Sequence, residues 1–182
     1  MGNIYGAQVV FHLLSTLRGW GEKTPVRVTY FTNSSMQALT IYTDGAAYHN
    51  GRDDCRASWG FWCEETNFSG SGFVIGKQTN NTGELTAILE AMRYAYRSGA
   101  DEIWILSDSE YALNSIFKWK LKAWKANYDL ILEAIVFAKG FKKVKFDWVR
   151  GHNELEGNEK ADLLANNVLI DAGYRLVPYG RK

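Results

Sequence analysis

Apolar positions along the chain switch between two spacings, and the switches mark its elements. Leu39-Thr40-Ile41-Tyr42-Thr43 reads as a strand ending at Asp44-Gly45. Ser58 to Cys63 and Gly72 to Ile75 read as two further strands, with glycine-rich punctuation between them. Leu85, Ile88, Leu89 and Met92 recur at i, i+3, i+4 and i+7, the apolar face of a helix. Ile103 to Leu106 is a short buried strand, and helical segments follow through about Lys139. Val144 to Val149 is another strand, and Ala161, Leu164, Ala165, Val168 and Leu169 form the apolar face of a last helix. The order β-β-β-α-β-α-α-β-α predicts an α/β fold: a mixed five-stranded sheet flanked by helices. Short loops make the first three strands antiparallel; intervening helices make the later strands parallel to the first.

Residues 1–37 follow a different pattern. A helix is expected over Ala7 to Leu17, a turn over Gly19 to Lys23 and a strand over Val26 to Phe31. The expected division is an N-terminal extension over 1–37, a main domain over 38–172 and a tail over 173–182. Val9, Phe11, Leu13, Leu14, Leu17 and Trp20 are too apolar for a free tail. The chain is expected to be a monomer, with 1–37 packing on the core or supporting self-association.

Composition narrows the class. In 182 residues, 46% are hydrophobic and 14% aromatic, which suits one globular domain with a short appendage. No apolar run reaches the ~18 residues of a membrane span. Ala7 to Leu17 has no preceding Lys or Arg, so a secretory leader is not expected. Cys55 and Cys63 lack the spacing of a zinc site and suggest free thiols in a reducing compartment, here expected to be the cytoplasm. Net charge is only +1, yet lysines cluster at Lys118, Lys120, Lys122 and Lys125 and again at Lys139, Lys142, Lys143 and Lys145. Local patches steer polyanions better than net charge does.

Four carboxylates sit at predicted element boundaries. Asp44 ends the first strand, Glu84 opens the first long helix, Asp108 ends the fourth strand and Asp162 lies in the last helix. Ligands of α/β sheets gather where strands end and helices begin. Each residue alone has a plainer explanation: Asp44 as a turn residue, Glu84 as a first-turn carboxylate, Asp108 as a helix cap and Asp162 as solvated surface. Together they would repel one another unless divalent cations lay between them, and hard oxygen ligands favour Mg²⁺ or Mn²⁺. Two such ions ~3.5–4 Å apart can activate a water and stabilise a leaving phosphodiester oxygen.

The motifs carrying these residues are Thr43-Asp44-Gly45, Thr79 to Leu85 (TNNTGEL), Ser107-Asp108-Ser109-Glu110-Tyr111, Val149-Arg150-Gly151-His152 and Gly157 to Asp162 (GNEKAD). In this order they resemble the type 1 ribonuclease H family from about Ala38 to Val168. The resemblance implies cleavage of the RNA strand of an RNA–DNA hybrid, using two Mg²⁺ or Mn²⁺ ions and leaving 5′-phosphate and 3′-hydroxyl ends. It implies that Asp44 bridges both ions, that Asp162 completes the ion activating water, and that Glu84 and Asp108 hold the ion beside the leaving 3′ oxygen. His152 is similar to the family's mobile-loop histidine, which assists proton transfer or product release.

RNA differs from DNA by its 2′-OH, read across the wide minor groove of an A-like duplex. Asn50, Asn80 and Asn81 match the family's 2′-OH contacts, although Asn80 and Asn81 could instead shape a turn and cap a helix. The loop from Tyr48 to Arg56 lacks Pro-Gly-Pro-Gly, and its Asn-Gly-Arg looks more like eukaryotic members. Thr79 and Asn127 match a phosphate-binding pocket for the DNA strand, with Lys77 nearby. Trp119 matches an aromatic that packs on a DNA sugar. Lys118, Lys122, Trp124 and Lys125 surround it in what looks like a shortened basic protrusion, or else an amphipathic helix with solvated lysines. Two other functions remain open at this point. One is a DNA nuclease on the same fold, such as a transposase or junction resolvase; the other is a hybrid-binding module without catalysis.

Overall fold

The computed structural model describes residues 38–117, 126–151 and 155–175. The chain divides into two units, Met1–Asn33 and Ser34–Lys182, and every described residue lies in the second. The helix expected over Ala7 to Leu17 and the strand over Val26 to Phe31 lie outside the described residues. So do Lys118, Trp119, Lys122, Trp124, Lys125 and His152.

The elements are β1 (Ala38–Tyr48), β2 (Arg56–Cys63), β3 (Phe68–Phe73), α1 (Asn80–Arg97), β4 (Glu102–Ser107), α2 (Glu110–Phe117), α3 (Tyr128–Ala138), β5 (Lys143–Trp148) and α4 (Glu156–Asp171). The five strands form one sheet in the order β3-β2-β1-β4-β5. β1, β2 and β3 pair antiparallel, whereas β4 and β5 run parallel to β1. The mixed α/β sheet expected from the sequence is therefore the architecture observed.

Strand alternation separates two layers of core. Leu39 and Ile41 of β1, with Ile103 and Ile105 of β4, pack with Leu85, Ile88 and Met92 of α1, Ile116 of α2 and Ile131 and Ile135 of α3. Tyr42 and Ala46 point to the opposite face, where Ala161, Ala165 and Leu169 of α4 cover them. These three recur every four residues, while Leu164 and Val168, expected on the same face, are half-buried.

Two strand boundaries differ from expectation. β1 does not end at Asp44-Gly45 but continues to Tyr48, because its antiparallel ladder with β2 runs on to Tyr48↔Arg56 after its parallel ladder with β4 stops at Thr43↔Ser107. The third strand lies earlier than Gly72 to Ile75. Gly70 and Gly72 are ladder positions opposite Phe61 and Trp59. A Cβ at Gly70 would stand 2.5 Å from Phe61 Cε1, and one at Gly72 2.9 Å from Trp59 Cζ2. The glycines are strand residues that leave room for aromatic rings. Ile75 instead is 96% exposed beyond the strand.

α4 rests directly on the β2 backbone. A Cβ at Gly60 would lie 2.6 Å from both the Ala161 carbonyl oxygen and the Ala165 nitrogen. Below, the Ser58 hydroxyl donates to the Ala165 carbonyl at 2.6 Å. Gly60→Ala should therefore push α4 off the sheet and cost about 1–3 kcal/mol in urea unfolding, the usual range for overpacking. A change below about 0.5 kcal/mol would show that the helix can shift freely.

Candidate active site

The fork in β1 builds the site. Asp44 is the first β1 residue beyond the parallel ladder, and Asp108 follows Ser107, the last ladder residue of β4. The two carboxylates thus stand on neighbouring strands where pairing gives out. α1 brings the third. Its N-cap is Thr79, whose hydroxyl accepts from Thr82 N while the Thr82 hydroxyl accepts from Thr79 N. Glu84 is one turn further in, so it does not open the helix as expected. No acidic residue lies in the first turn of α1.

Close backbone contact sets the spacing. A Cβ at Gly45 would lie 2.2 Å from Glu84 N, and one at Gly83 would lie 2.6 Å from the Ser58 carbonyl oxygen. Without those two methyl groups, α1 lies directly on β1 and β2. The carboxylate oxygens of Asp44, Glu84 and Asp108 then come within 4.8 Å of one another. Asp162, from α4, lies near enough for its charge to raise the Asp44 carboxyl. It is turned by Asn166, whose Nδ2 donates to Asp162 Oδ1 at 2.7 Å.

The plainer explanations fail one by one. Asp44 is a strand residue, 7% exposed. Ser109, not Asp108, caps α2 by accepting from Ala112 N at 3.2 Å. Thr79, not Asn80 or Asn81, caps α1. Asp162 is half-buried and hydrogen-bonded to Asn166.

The electrostatics suit cations. Burial raises the Asp44 carboxyl well above the usual carboxylate range, and Asp108 and Asp162 raise it further. Burial likewise raises Glu84, with Asp44 and Asp108 adding to it. Glu84 Oε2 is buried without a hydrogen-bond partner. No lysine or arginine among the described residues forms an ion pair with Asp44 or Glu84. An orphaned oxygen, crowded hard donors and missing counter-charge fit divalent metal ions.

The asparagines adjoin this centre. Asn80 Nδ2 lies 3.4 Å from Glu84 Oε1, and Asn80 N donates to Asn50 Oδ1 at 3.0 Å. Asn81 is exposed beside them, as is Lys77. Thr79 is occupied by its cap, and Asn127, in the left-handed region at φ 63°, donates to the Tyr111 hydroxyl at 3.0 Å. No hydrogen bond links Thr79 to Asn127 among the described residues.

Sequence reasoning misses two supports. Asn166 lies four residues after Asp162, a spacing that puts both on one helix face and that could have revealed it. Trp148 Nε1 donates to the Asp108 carbonyl at 2.9 Å across β4 and β5. That contact depends on strand register, which leaves no local signal. Cys55 and Cys63 are buried free thiols, and no helix among the described residues is long and apolar enough to cross a membrane.

Comparison with known proteins agrees with this geometry. The RNase H family model matches residues 36–170. Ribonuclease H of Cupriavidus necator is 35% identical over 154 residues, covering 76% of this chain and 99% of the relative. Ribonuclease H of Polaromonas naphthalenivorans is 36% identical over 162 residues, covering 80% of this chain and 95% of the relative. Among solved structures, RNase H1 of Halobacterium salinarum superposes with a TM-score of 0.61 at 26% identity, covering 74% of this chain and 99% of that one. The N-terminal RNase H domain of a Mycobacterium tuberculosis protein gives 0.60 at 25% identity, covering 74% of this chain and 95% of that one. The family match, these relatives and the shared fold agree: the chain belongs to the RNase H family.

Proposed function

We propose that this chain is an endoribonuclease that hydrolyses the RNA strand of RNA–DNA hybrids, leaving 5′-phosphate and 3′-hydroxyl ends. The observation that carries this reading is the join between the Asp44–Glu84–Asp108 cluster and Asn80, which is hydrogen-bonded to Glu84. A side chain suited to a 2′-OH therefore sits beside the acidic cluster. Asp44, Glu84, Asp108 and Asp162 would hold two Mg²⁺ or Mn²⁺ ions, which when bound supply an activated water and neutralise charge on the leaving oxygen.

The chain's own residues do the rest. Asn50, Asn80 and Asn81 bind the RNA strand through its 2′-hydroxyls. Asn166 keeps Asp162 turned toward Asp44, and Trp148 steadies the Asp108 turn. His152 assists proton transfer or product release. Lys77, Thr79 and Asn127, with Lys118, Trp119, Lys122, Trp124 and Lys125, grip the DNA strand. The catalytic domain is 38–172, with 1–37 an extension and 173–182 a tail. Monomeric action in the cytoplasm completes the proposal.

Labelled hybrid, duplex RNA and duplex DNA, each with Mg²⁺ or with chelator, test the function. Only the RNA of the hybrid should be cut, and only with metal. Comparable cutting of duplex DNA would point to a DNA nuclease, and tight hybrid binding without cutting to a binding module.

Asp108→Asn keeps side-chain volume but removes a charge from the cluster. Turnover should fall below about a tenth of wild type, at least ~1.4 kcal/mol, while hybrid binding survives. Retention above that level would remove Asp108 from the metal site.

The raised carboxyls also set a pH dependence in chelator. A carboxyl raised by folding adds stability below its unfolded value, and that stability is lost as pH climbs through the raised one. The metal-free protein should therefore unfold at lower temperature as pH rises from about 5 to 8. Asp44→Asn should flatten this fall and raise the chelator unfolding temperature at pH 8, by about 2–4 °C for each kcal/mol of relieved repulsion. Saturating Mg²⁺ should help wild type more than the variant. Parallel curves for the two proteins would mean that the carboxylates do not strain the fold.

A further inference from the structure

The loop joining β1 to β2 carries a side-chain clasp that the carboxylate site does not use. His49 follows Tyr48 with φ 47°, in the left-handed region that residues with side chains rarely occupy. Two turns shape the backbone: Arg52 N donates to the His49 carbonyl at 3.0 Å, and Cys55 N to the Arg52 carbonyl at 3.1 Å. The His49 ring is then held on two sides. It stacks on Tyr48 with centroids 3.7 Å apart, and its Nδ1 lies 2.8 Å from Asp54 Oδ2. Tyr48 in turn leans on Tyr174, 5.1 Å away, beyond the end of α4. At the far side Cys55 is buried and anchors the loop after Asp54. Hydrogen bonding to His49 holds the Asp54 carboxyl below the usual carboxylate range.

Asn50 sits inside this clasp, directly after His49, and its Oδ1 accepts the Asn80 N–H at 3.0 Å. Gly51, next in line, has φ 86° and no neighbour within 4 Å of where a Cβ would stand. Left to itself, so exposed a segment would sample many conformations. A pair 35% and 61% exposed adds little to global stability, because solvent screens it. What it can govern is the local position of the residue between its two ends.

We propose that the His49–Asp54 clasp is a positioning device that holds Asn50 against the head of α1, so that Asn50 and Asn80 meet the RNA strand as one preorganised pair. His49 and Asp54 act through Asn50, and neither is a catalytic residue. The inference rests on the assignment of Asn50 and Asn80 as 2′-OH contacts. Preorganisation improves binding by removing an ordering cost that the complex would otherwise bear.

Asp54→Ala opens the clasp without touching the His49 backbone, and His49→Asn removes the ring while keeping a residue that tolerates the left-handed region. The first readout is hydrogen exchange at the Asn80 amide, followed by NMR on the full chain without substrate. Exchange should quicken by about threefold or more in either variant, as local opening becomes easier. The second readout is hybrid cleavage. KM should rise about threefold to tenfold with kcat and unfolding temperature nearly unchanged, and neither variant should add to the KM of Asn50→Ala, because residues acting through one partner are not additive. Unchanged Asn80 exchange overturns the clasp, as does a KM effect that adds fully to Asn50→Ala. If Asn50→Ala leaves KM untouched, both the clasp's role and the 2′-OH assignment fall. If wild type cuts no hybrid, the functional reading fails by itself, and the exchange measurement still decides whether the clasp holds Asn50.

Discussion

The site depends on one backbone-to-backbone contact: α1 touching β1 at Gly45. Helices usually stand off a sheet by the thickness of their side chains. Here a Cβ at Gly45 would overlap the Glu84 nitrogen, and Gly83 on the helix leaves the facing room. The second turn of α1 therefore lies level with the sheet, and Glu84 reaches the same few ångströms as Asp44 and Asp108. A methyl group at either glycine would collide with backbone of the facing element and so press α1 away from the strands. The same device recurs on the other face, where Gly60 lets α4 settle on β2.

Such closeness is unfavourable in the absence of cations. Asp44 and Glu84 are buried, lack cationic side-chain partners among the described residues and have carboxyl values raised by burial and by neighbouring acids. A fold selected only for stability would place apolar or paired groups there. The residues Leu85, Ile88, Met92, Ile103 and Ile105 belong to one continuous apolar cluster of the same sheet. Stability and chemistry are thus divided between adjacent layers of one sheet.

Periodicity makes most of this fold legible. Long alternating or helical runs, such as Leu39 to Thr43 or Leu85 to Met92, report burial directly. Sequence pattern misplaces the strand around Gly70 and Gly72 because glycine normally breaks strands, and only the rings of Phe61 and Trp59 opposite explain it. It misplaces the end of β1 because Asp-Gly signals a turn locally, whereas β2 continues to pair with β1 regardless. The carboxylates can be picked out because each sits in a recognisable motif, although Asp44, Glu84 and Asp162 lie inside their elements and only Asp108 stands just past the end of one. Trp148 and the His49–Asp54 pair cannot, since their partners are set by register and by loop closure rather than by sequence neighbours.

The fork in β1 has a consequence for synthesis. Asp44 belongs to the first strand of the sheet and Asp162 to its last helix, while β1 acquires β4 only after two hairpins and α1 have been made. Local antiparallel pairing is quick, whereas parallel pairing across a long insert is slow. A ribosome-bound fragment ending before α4 can therefore complete most of the sheet while carrying only three of the four acids. Mutual repulsion stays incomplete until the final helix docks, so the sheet can close before the acidic cluster exacts its full electrostatic cost.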